Sequence, residues 1–210
     1  MNILLIGPSG SGKGTQARIL IEKFDLFYFE SGAYLRRMAE THPDLKKTLD
    51  SGKIVPDKEF TSYLAAYLDE QNLYDNILFD GFPRTVSQYE FFRSWLKDRH
   101  VKINLVIVLT VSEKVTIERL SARRMDPATG KIYNLITDKP PADIDPKTLV
   151  QREDDKPESI KKRLAWFRGQ VEPLIELLRR ETEVIDVDGE QPVDAISQDL
   201  VKLIGERINK

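Results

Sequence analysis

Cysteine is absent from the 210-residue sequence, which excludes disulfide bonds and thiolate metal sites. A reducing compartment is the simplest setting for such a chain, so we expect a cytoplasmic location. No apolar run approaches the length of a transmembrane helix, and the first residues show no signal-peptide pattern, so we expect no membrane partner. The formal net charge is only −2, so a nucleic-acid partner is not expected either.

Five short apolar runs alternate along the chain with longer segments of helical periodicity. The runs are 3–6, 27–29, 77–79, 105–109 and 184–187. The helical segments are 60–68, 88–96, 113–124, 158–180 with Pro173 as a kink or early stop, and 193–208. Strands that alternate with helices predict an α/β fold, in which helices cover both faces of a parallel sheet.

The segment 125–155 breaks this alternation. It contains Asp-Pro, Thr-Gly and Lys-Pro-Pro turns and few apolar residues that could form a core of its own. Such a long segment inside a compact domain is typically a functional lid or a disordered insertion. Basic residues flank it at both ends, which favours a lid that closes over an anionic ligand.

A glycine-rich loop, GPSGSGKGTQ, follows the first apolar run directly. Its spacing, Gly7-x4-Gly12-Lys13 between a strand and a helix, is that of a phosphate-binding loop (P-loop). Glycines let backbone amides turn towards phosphate oxygens, and the start of the helix adds its positive end. We therefore expect the loop to bind a nucleotide phosphate through Gly10, Ser11, Gly12, Lys13, Gly14 and Thr15.

The Lys-Gly-Thr-Gln ending of this loop is similar to that of the nucleoside monophosphate kinases, adenylate kinase above all. Further family signatures occur in order along essentially the whole chain. They are Gly52-Lys53-Ile54-Val55-Pro56-Asp57, Asp80-Gly81-Phe82-Pro83-Arg84-Thr85 with Gln88, Arg119 with Arg123-Arg124, Gly130-Lys131-Ile132-Tyr133, Arg152-Glu153-Asp154-Asp155 and Lys162-Arg163-Leu164. The resemblance implies a P-loop NTPase-type fold with a five-stranded parallel sheet. It also implies a core of 1–29, 56–121 and 156–210, a monophosphate-binding insertion at 30–55 and a lid at 122–155.

The resemblance implies reversible transfer of the terminal phosphoryl group of Mg-ATP to AMP, which gives two ADP. Such a reaction needs positioning and converging cations more than covalent help from the protein. Arg119 and Arg123 are four residues apart in the predicted helix 113–124, which would place both on one face. The implied catalytic residues are Lys13, Arg84, Arg123, Arg152 and Arg163.

The resemblance also divides the remaining site residues between two nucleotides. The ATP side would add Arg119, Arg123, Ile132, Tyr133 and Gln191 to the loop residues. The AMP side would comprise Ser31, Arg36, Lys53, Ile54, Val55, Gly81, Phe82, Pro83, Arg84, Gln88, Arg152 and Arg163, with Gln88 on the adenine. Asp80 and Thr15 would hold Mg²⁺ through water, because this ion dehydrates reluctantly.

The sequence departs from the family pattern at two places. Many long-lid relatives bind structural zinc through lid cysteines, whereas Asp126 and Thr129 lie where the first pair would fall. We expect a lid without zinc, held by polar contacts and by turns at its prolines. The family pattern Thr-Gly-Asp-x-Leu-Arg reads Ser-Gly-Ala-Tyr-Leu-Arg here, so Ala33 removes a carboxylate that could organise the magnesium waters.

Two alternatives stay open at the level of sequence. A UMP/CMP-type kinase is the nearest, although the long lid and Gln88 favour AMP. A non-catalytic ATP-binding sensor is the other, and the complete arginine set argues against it. ATP, AMP and ADP are the expected partners, and family habit predicts a monomer.

Overall fold

A computed structural model describes residues 1–50, 55–136 and 138–208 of the chain. Its centre is a parallel five-stranded sheet, in the order β2-β3-β1-β4-β7. The strands are β1 (Ile3–Ile6), β2 (Phe27–Glu30), β3 (Ile77–Asp80), β4 (Leu105–Thr110) and β7 (Val184–Asp188). All five predicted runs form these strands, and the predicted α/β class is confirmed.

Helices cover both faces of the sheet. Their bounds are α1 (Lys13–Phe24), α2 (Ser31–Thr41), α3 (Pro43–Asp50), α4 (Asp57–Glu70), α5 (Val86–Asp98), α6 (Glu113–Ser121), α7 (Pro157–Trp166), α8 (Glu172–Glu181) and α9 (Val193–Ile208). Successive strand residues point to opposite faces, so Leu4 joins one hydrophobic cluster and Leu5 the other. In the described part of the chain, no helix is long and apolar enough to cross a membrane.

Strand β1 lies at the middle of the sheet, with β3 on one side and β4 on the other. Its Leu5 pairs with Asp80 of β3 and with Ile107 of β4. The connections after β1 and β4 therefore leave towards opposite sides, which makes the carboxyl end of β1 a topological switch point. In open α/β sheets, ligands bind in the crevice at such a point.

The predicted helix 113–124 is too long at its carboxyl end. Helix α6 ends at Ser121, and the following residues form β5 (Arg123–Met125), antiparallel to β6 (Ile132–Asn134). Arg123 pairs with Asn134 in this ladder, so strand pairing outweighs the local helical periodicity. The expectation that Arg119 and Arg123 share one helix face is therefore wrong.

The predicted helix 158–180 is divided in the structure. A π-helical segment, Phe167–Val171, separates α7 from α8, and the backbone N–H of Glu172 donates to the carbonyl of Phe167. Pro173 lies in the first turn of α8 and has no N–H to continue an α-helical ladder. The irregularity therefore precedes the proline. Trp166, Phe167 and Gln170, in and next to this segment, line a cavity at the carboxyl ends of β1 and β3, which is described below as the central cavity.

The lid segment is built from the β5–β6 ribbon and a series of turns. Met125 also bridges to Val150, which ties the two ends of the segment together. In the tip, Asp126 accepts hydrogen bonds from the hydroxyl of Thr129 at 2.6 Å and from the N–H of Ala128 at 2.9 Å. Polar contacts predicted for the lid are therefore present at Asp126 and Thr129.

Candidate active site

A cavity of about 530 Å³ opens at the carboxyl ends of β1 and β3. Its polar lining comes from the P-loop, the starts of α2, α4 and α5, the connection after β3, α7 and the π-helical segment. The polar and glycine residues are Gly7, Ser9, Lys13, Ser31, Gly32, Asp57, Gly81, Arg84, Thr85, Gln88, Arg163 and Gln170. Segments that are distant in sequence thus converge on one cleft.

The P-loop wraps the amino end of α1. Gly10 and Gly12 have φ values of +82° and +95°, a region that glycine enters without a steric penalty. The Nζ of Lys13 donates to the carbonyls of Gly7 at 2.7 Å and Pro8 at 3.0 Å. Ser11 is fully buried, and its Oγ has no hydrogen-bond partner in the part of the chain that the structure describes. The loop therefore presents an ammonium group, amides and a helix amino terminus at one place.

The pKa of Lys13 is well below that of an ordinary lysine. Its pKa falls from 10.5 to about 8, because the ammonium is withdrawn from water. Asp80 opposes this effect, whereas the positive charges of Arg84, Arg163 and Arg123 add to it. A phosphate that entered the cleft would give Lys13 an anionic partner in place of the two carbonyl oxygens to which its ammonium donates.

Arg84 forms a compact set with Ser31 and Gly81. Its Nε donates to the carbonyl of Gly81 at 2.6 Å, and its Nη2 lies 3.3 Å from Ser31 Oγ. Gly81 has a φ of +77°, and a Cβ at this position would lie 2.5 Å from Arg84 Nη2. Desolvation in the cleft lowers the pKa of Arg84, with Asp80 and Glu30 opposing. Its guanidinium still reaches solvent through the cavity, where an anion can meet it.

Gln88, which the sequence analysis expects to hydrogen-bond the adenine, lies in the first turn of α5. Its Oε1 accepts from the N–H of Arg84 at 2.7 Å, and its Nε2 donates to Asp57 Oδ1 at 2.9 Å. Val55 is buried nearby in the same cavity wall. Lys53 and Ile54, which were predicted to assist here, lie outside the described residues.

Two aspartates at the far end of the lid organise three arginines. Asp155 is fully buried and holds Arg123 through Nε–Oδ2 and Nη2–Oδ1 distances of 2.7 and 2.5 Å. Asp154 binds Arg152 in the same bidentate geometry, with Nε–Oδ1 and Nη2–Oδ2 distances of 2.9 and 3.0 Å. Arg163 bridges the set, since its Nη1 lies 2.9 Å from Asp154 Oδ2 and 3.6 Å from Asp155 Oδ1. Paired carboxylates thus fix the guanidinium planes before any nucleotide arrives.

Arg163 also joins this set to the P-loop. Its Nη2 donates to the hydroxyl of Ser9, and its guanidinium lines the central cavity. Desolvation lowers the pKa of Arg163, and Asp154, the next cause, opposes it. Arg163 is therefore the cation that lies between the loop and the arginine–aspartate set.

Arg119 meets the P-loop from α6, where its Nη1 donates to the carbonyl of Gly10 at 3.3 Å. Asn134 of β6 donates to the carbonyl of Arg119 at 2.9 Å, which connects the lid to this helix. A second cavity, of about 440 Å³, lies between α1, the lid and the start of α9. It is lined by Thr15, Arg18, Lys131, Tyr133, Asp138, Lys139, Pro141 and Val193.

The remaining predicted residues differ in how close they come to this centre. Tyr133 is buried under the ammonium of Lys131, which lies 5.1 Å from its ring, whereas Ile132 is partly exposed. Phe82 is buried in the core against Phe92, so its side chain is not available to a ligand. Pro83, joined to Phe82 by a cis peptide bond, lines the central cavity.

Arg36 and Gln191 are the outlying members. Arg36 is exposed on α2 and pairs with Glu30 at 3.6 Å. Gln191 is exposed in the turn between β7 and α9. That turn packs beside the P-loop, since a Cβ built on Gly189 would lie 2.9 Å from the carbonyl oxygen of Ser11.

The carboxylate of Asp80 is the candidate for holding a hydrated cation. It is buried at the end of β3, and its Oδ2 accepts from the hydroxyl of Tyr28 at 2.9 Å. Desolvation, and then the neighbouring Asp80 charge, raise the pKa of Tyr28. Asp80 Oδ1 has no hydrogen-bond donor among the described residues, so it fits a water molecule of a hydrated Mg²⁺. Ala33 is exposed on the first turn of α2 and offers no second carboxylate.

The comparison with protein-family models matches residues 5–183 to adenylate kinase. The chain belongs to the adenylate kinase family. A curated relative named adenylate kinase, from Fusobacterium nucleatum, is 35% identical over 98% of this chain and 99% of its own length. Relatives with the same name from Chloroherpeton thalassium and Petrotoga mobilis are 35% and 33% identical, each over 97% of this chain and 98% and 97% of their own lengths.

Family membership confirms the prediction of a nucleotide-binding phosphotransferase, an enzyme of the ATP:AMP class. The structure adds three residues that the sequence analysis did not place in the site. Asp154 and Asp155 were part of a recognised signature without a role, and Asp57 stood only at the end of another. Their roles can be interpreted only in the folded protein. There Asp154 and Asp155 pair with arginines, and Asp57 pairs with Gln88.

Proposed function

We propose that the chain transfers the terminal phosphoryl group of Mg-ATP to AMP within the central cavity. One observation carries the proposal: the P-loop with Lys13, the Arg84–Ser31–Gly81 set and Arg163 all line the same cavity, and Arg163 also donates to Ser9 of the loop. Phosphoryl transfer requires a donor and an acceptor phosphate in line, with cations around the transferred group. The cleft offers two anion-binding places and a bridging guanidinium.

The donor nucleotide would occupy the P-loop side. Lys13 would exchange the carbonyls of Gly7 and Pro8 for phosphate oxygens, and the amides of Gly10 to Thr15 would surround them. Arg119 and Arg123 would approach from α6 and from the lid ribbon. The nucleoside would extend towards the second cavity, where Tyr133 and the exposed Ile132 provide apolar surface, with Gln191 at the neighbouring turn.

The acceptor would occupy the α2–α5 side. Ser31 and Arg84 would hold its phosphate, and Arg36 would join them if it released Glu30. Gln88 would face the adenine beside Val55, and Lys53 and Ile54, which lie outside the described residues, are proposed to assist it. Arg152 and Arg163 would lie across the transferred group, oriented by Asp154. Hydrogen-bond donors fixed in this way stabilise developing negative charge without reorganising.

Magnesium belongs to the proposed donor complex. When bound with ATP it neutralises phosphate charge and orients the terminal group. Asp80, with Thr15 as a second residue, would hold its water molecules, and no group of three or more His, Asp or Glu side chains in the described ranges forms a direct metal site. A monomer in the cytoplasm completes the proposal, and the absence of cysteine supports that compartment.

The proposal is tested by following ADP formation from Mg-ATP with AMP, UMP, CMP or GMP as acceptor. AMP should be strongly preferred, and a preference for UMP or CMP would contradict the acceptor assignment. Arg163→Lys should lower kcat by about 10²-fold, because an ammonium cannot make the bidentate hydrogen bonds by which a guanidinium would bridge the donor and acceptor phosphates. Arg168→Lys is the matched control, because Arg168 is exposed on the next turn and pairs only with Glu113 among the described residues.

A further inference from the structure

We propose that Asp57 determines which purine the acceptor site takes, by locking the side-chain amide of Gln88 in one orientation. The locked amide would accept a 6-amino purine and reject a 6-oxo purine. This inference rests on the proposed function, because it requires Gln88 to meet the acceptor base.

Four hydrogen bonds define the lock. Asp57 Oδ1 accepts from Gln88 Nε2 at 2.9 Å, and Gln88 Oε1 accepts from the backbone N–H of Arg84 at 2.7 Å. Asp57 Oδ2 accepts from the hydroxyl of Thr85 at 2.6 Å, and that hydroxyl accepts from the N–H of Gln88 at 3.0 Å. Both ends of the amide and the carboxylate that faces it are therefore fixed.

Chemistry decides the orientation of the amide. An ionised carboxylate only accepts hydrogen bonds, and a backbone N–H only donates them. If the amide were turned over, its oxygen would face Asp57 and its NH₂ would face the N–H of Arg84. Both contacts would then be repulsive, and Gln88 is buried with little water to compensate. One orientation is thus imposed from two sides.

The locked amide still has one N–H and one oxygen lone pair to offer. Gln88 and Asp57 both line the central cavity, so these groups are available to a ligand there. A 6-amino purine presents a donor next to a ring-nitrogen acceptor, which matches the oxygen and N–H of a glutamine amide. A 6-oxo purine presents an acceptor next to a protonated ring nitrogen, and it could be matched only by the amide that Asp57 and Arg84 exclude.

The experiment compares AMP with IMP, which differ at this edge of the base. The wild-type enzyme should favour AMP by more than about tenfold in kcat/KM, because IMP would mismatch both polar groups of a fixed amide. In Asp57→Asn the new amide can present either its oxygen or its NH₂ to Gln88, so only the N–H of Arg84 still opposes the turned orientation. The AMP-to-IMP ratio of kcat/KM should then fall by about tenfold, with the KM for ATP unchanged.

Glu59→Gln is the matched control. Glu59 lies in the same first turn of α4 and is exposed, so the substitution removes the same charge from the same helix terminus. Its AMP-to-IMP ratio should equal that of the wild type. Asp57→Ala provides a second variant in which the carboxylate is removed and the ratio should also fall.

The outcomes separate this inference from the proposed function. If the wild type phosphorylates neither AMP nor IMP, the proposed function fails. If it phosphorylates AMP but uses IMP equally well, or if both Asp57 variants keep the wild-type ratio, only the role of Asp57 is overturned. A loss of activity with the ratio unchanged would mean that Asp57 has a structural role alone.

Discussion

Arg123 and Asp155 form a bidentate ion pair between the lid ribbon and the segment that leads into α7. The two contacts measure 2.7 and 2.5 Å, and the carboxylate of Asp155 is fully buried. Arg123 is 19% exposed, so one edge of its guanidinium remains available to phosphate. The pair both joins two segments and orients a cation.

Asp155→Asn should therefore reduce stability and activity together. Removing one partner of a buried pair leaves a charge without compensation, and about 3 kcal/mol of unfolding free energy should be lost. Urea denaturation measures this loss. Glu113→Gln breaks the exposed pair with Arg168 and should cost less than about 1 kcal/mol. Equal losses of unfolding free energy in the two variants would show that the Arg123–Asp155 pair stabilises the fold no more than an exposed ion pair does.

Gly81→Ala should damage the acceptor side. The added Cβ would lie 2.5 Å from Arg84 Nη2 and 2.8 Å from Ser31 Oγ, so Arg84 must move. We expect the KM for AMP to rise by about tenfold or more, since a guanidinium contact to phosphate would be lost. Steady-state kinetics with varied AMP provide the test.

Gly130→Ala is the control for backbone strain. Gly130 has a similar positive φ of +71°, but no atom lies within 4 Å of a Cβ built there. It should lose roughly 1 kcal/mol of stability through strain and keep the KM for AMP. An unchanged KM for AMP in Gly81→Ala would refute the placement of Arg84 at the acceptor phosphate.

Lys13→Met should abolish most of the activity. The substitution keeps an unbranched side chain of similar size but removes the charge that would meet the ATP phosphates, and kcat should fall by about 10²- to 10³-fold. Lys23→Met removes an exposed lysine from the last turn of the same helix and should keep wild-type kinetics. Comparable activity of both variants would remove Lys13 from the mechanism.

Asp69 should make part of the stability depend on pH. Hydrogen bonds from Arg99, together with those from Trp95 and Tyr74, hold its pKa below the ordinary 3.8. The folded state then binds fewer protons than the unfolded state, so the contribution is present above pH 4 and is lost as the pH falls through the lowered pKa.

Asp69→Asn measures this contribution by urea unfolding. The difference from wild type should be clear at pH 7 and should shrink as the pH falls below about 4. Asp98→Asn, at an exposed position of α5, should change stability by less than about 0.5 kcal/mol. A difference for Asp69→Asn that is constant from pH 7 to pH 3 would contradict the assignment.

The sheet could be predicted because each of its strands is a short apolar run with a helical segment after it. The P-loop could be predicted because its glycines and Lys13 occupy fixed spacings. The end of α6 could not, since Arg123 leaves the helix to pair with Asn134, and such pairing depends on residues eleven positions away. Helical periodicity is visible in neighbouring residues, whereas the β5–β6 pairing that overrides it involves residues farther along the chain.

The role of the acidic residues was equally hidden. Asp154 and Asp155 belong to the charged run Arg-Glu-Asp-Asp-Lys at 152–156, which in sequence is indistinguishable from a solvated surface segment. Asp57 begins a helix, where an acidic residue is expected for its interaction with the helix dipole alone. Only the fold shows that Asp155 is fully buried and that Asp57 faces Gln88.

The proposed function requires a phosphoryl group to pass directly between two nucleotides bound in one cleft. ³¹P NMR of the protein with Mg²⁺ and equal amounts of ATP and AMP follows this transfer. ADP should be the sole new phosphorus species, with two ADP formed for each AMP consumed. Release of inorganic phosphate with AMP unchanged, or no reaction in the presence of both nucleotides, would contradict it.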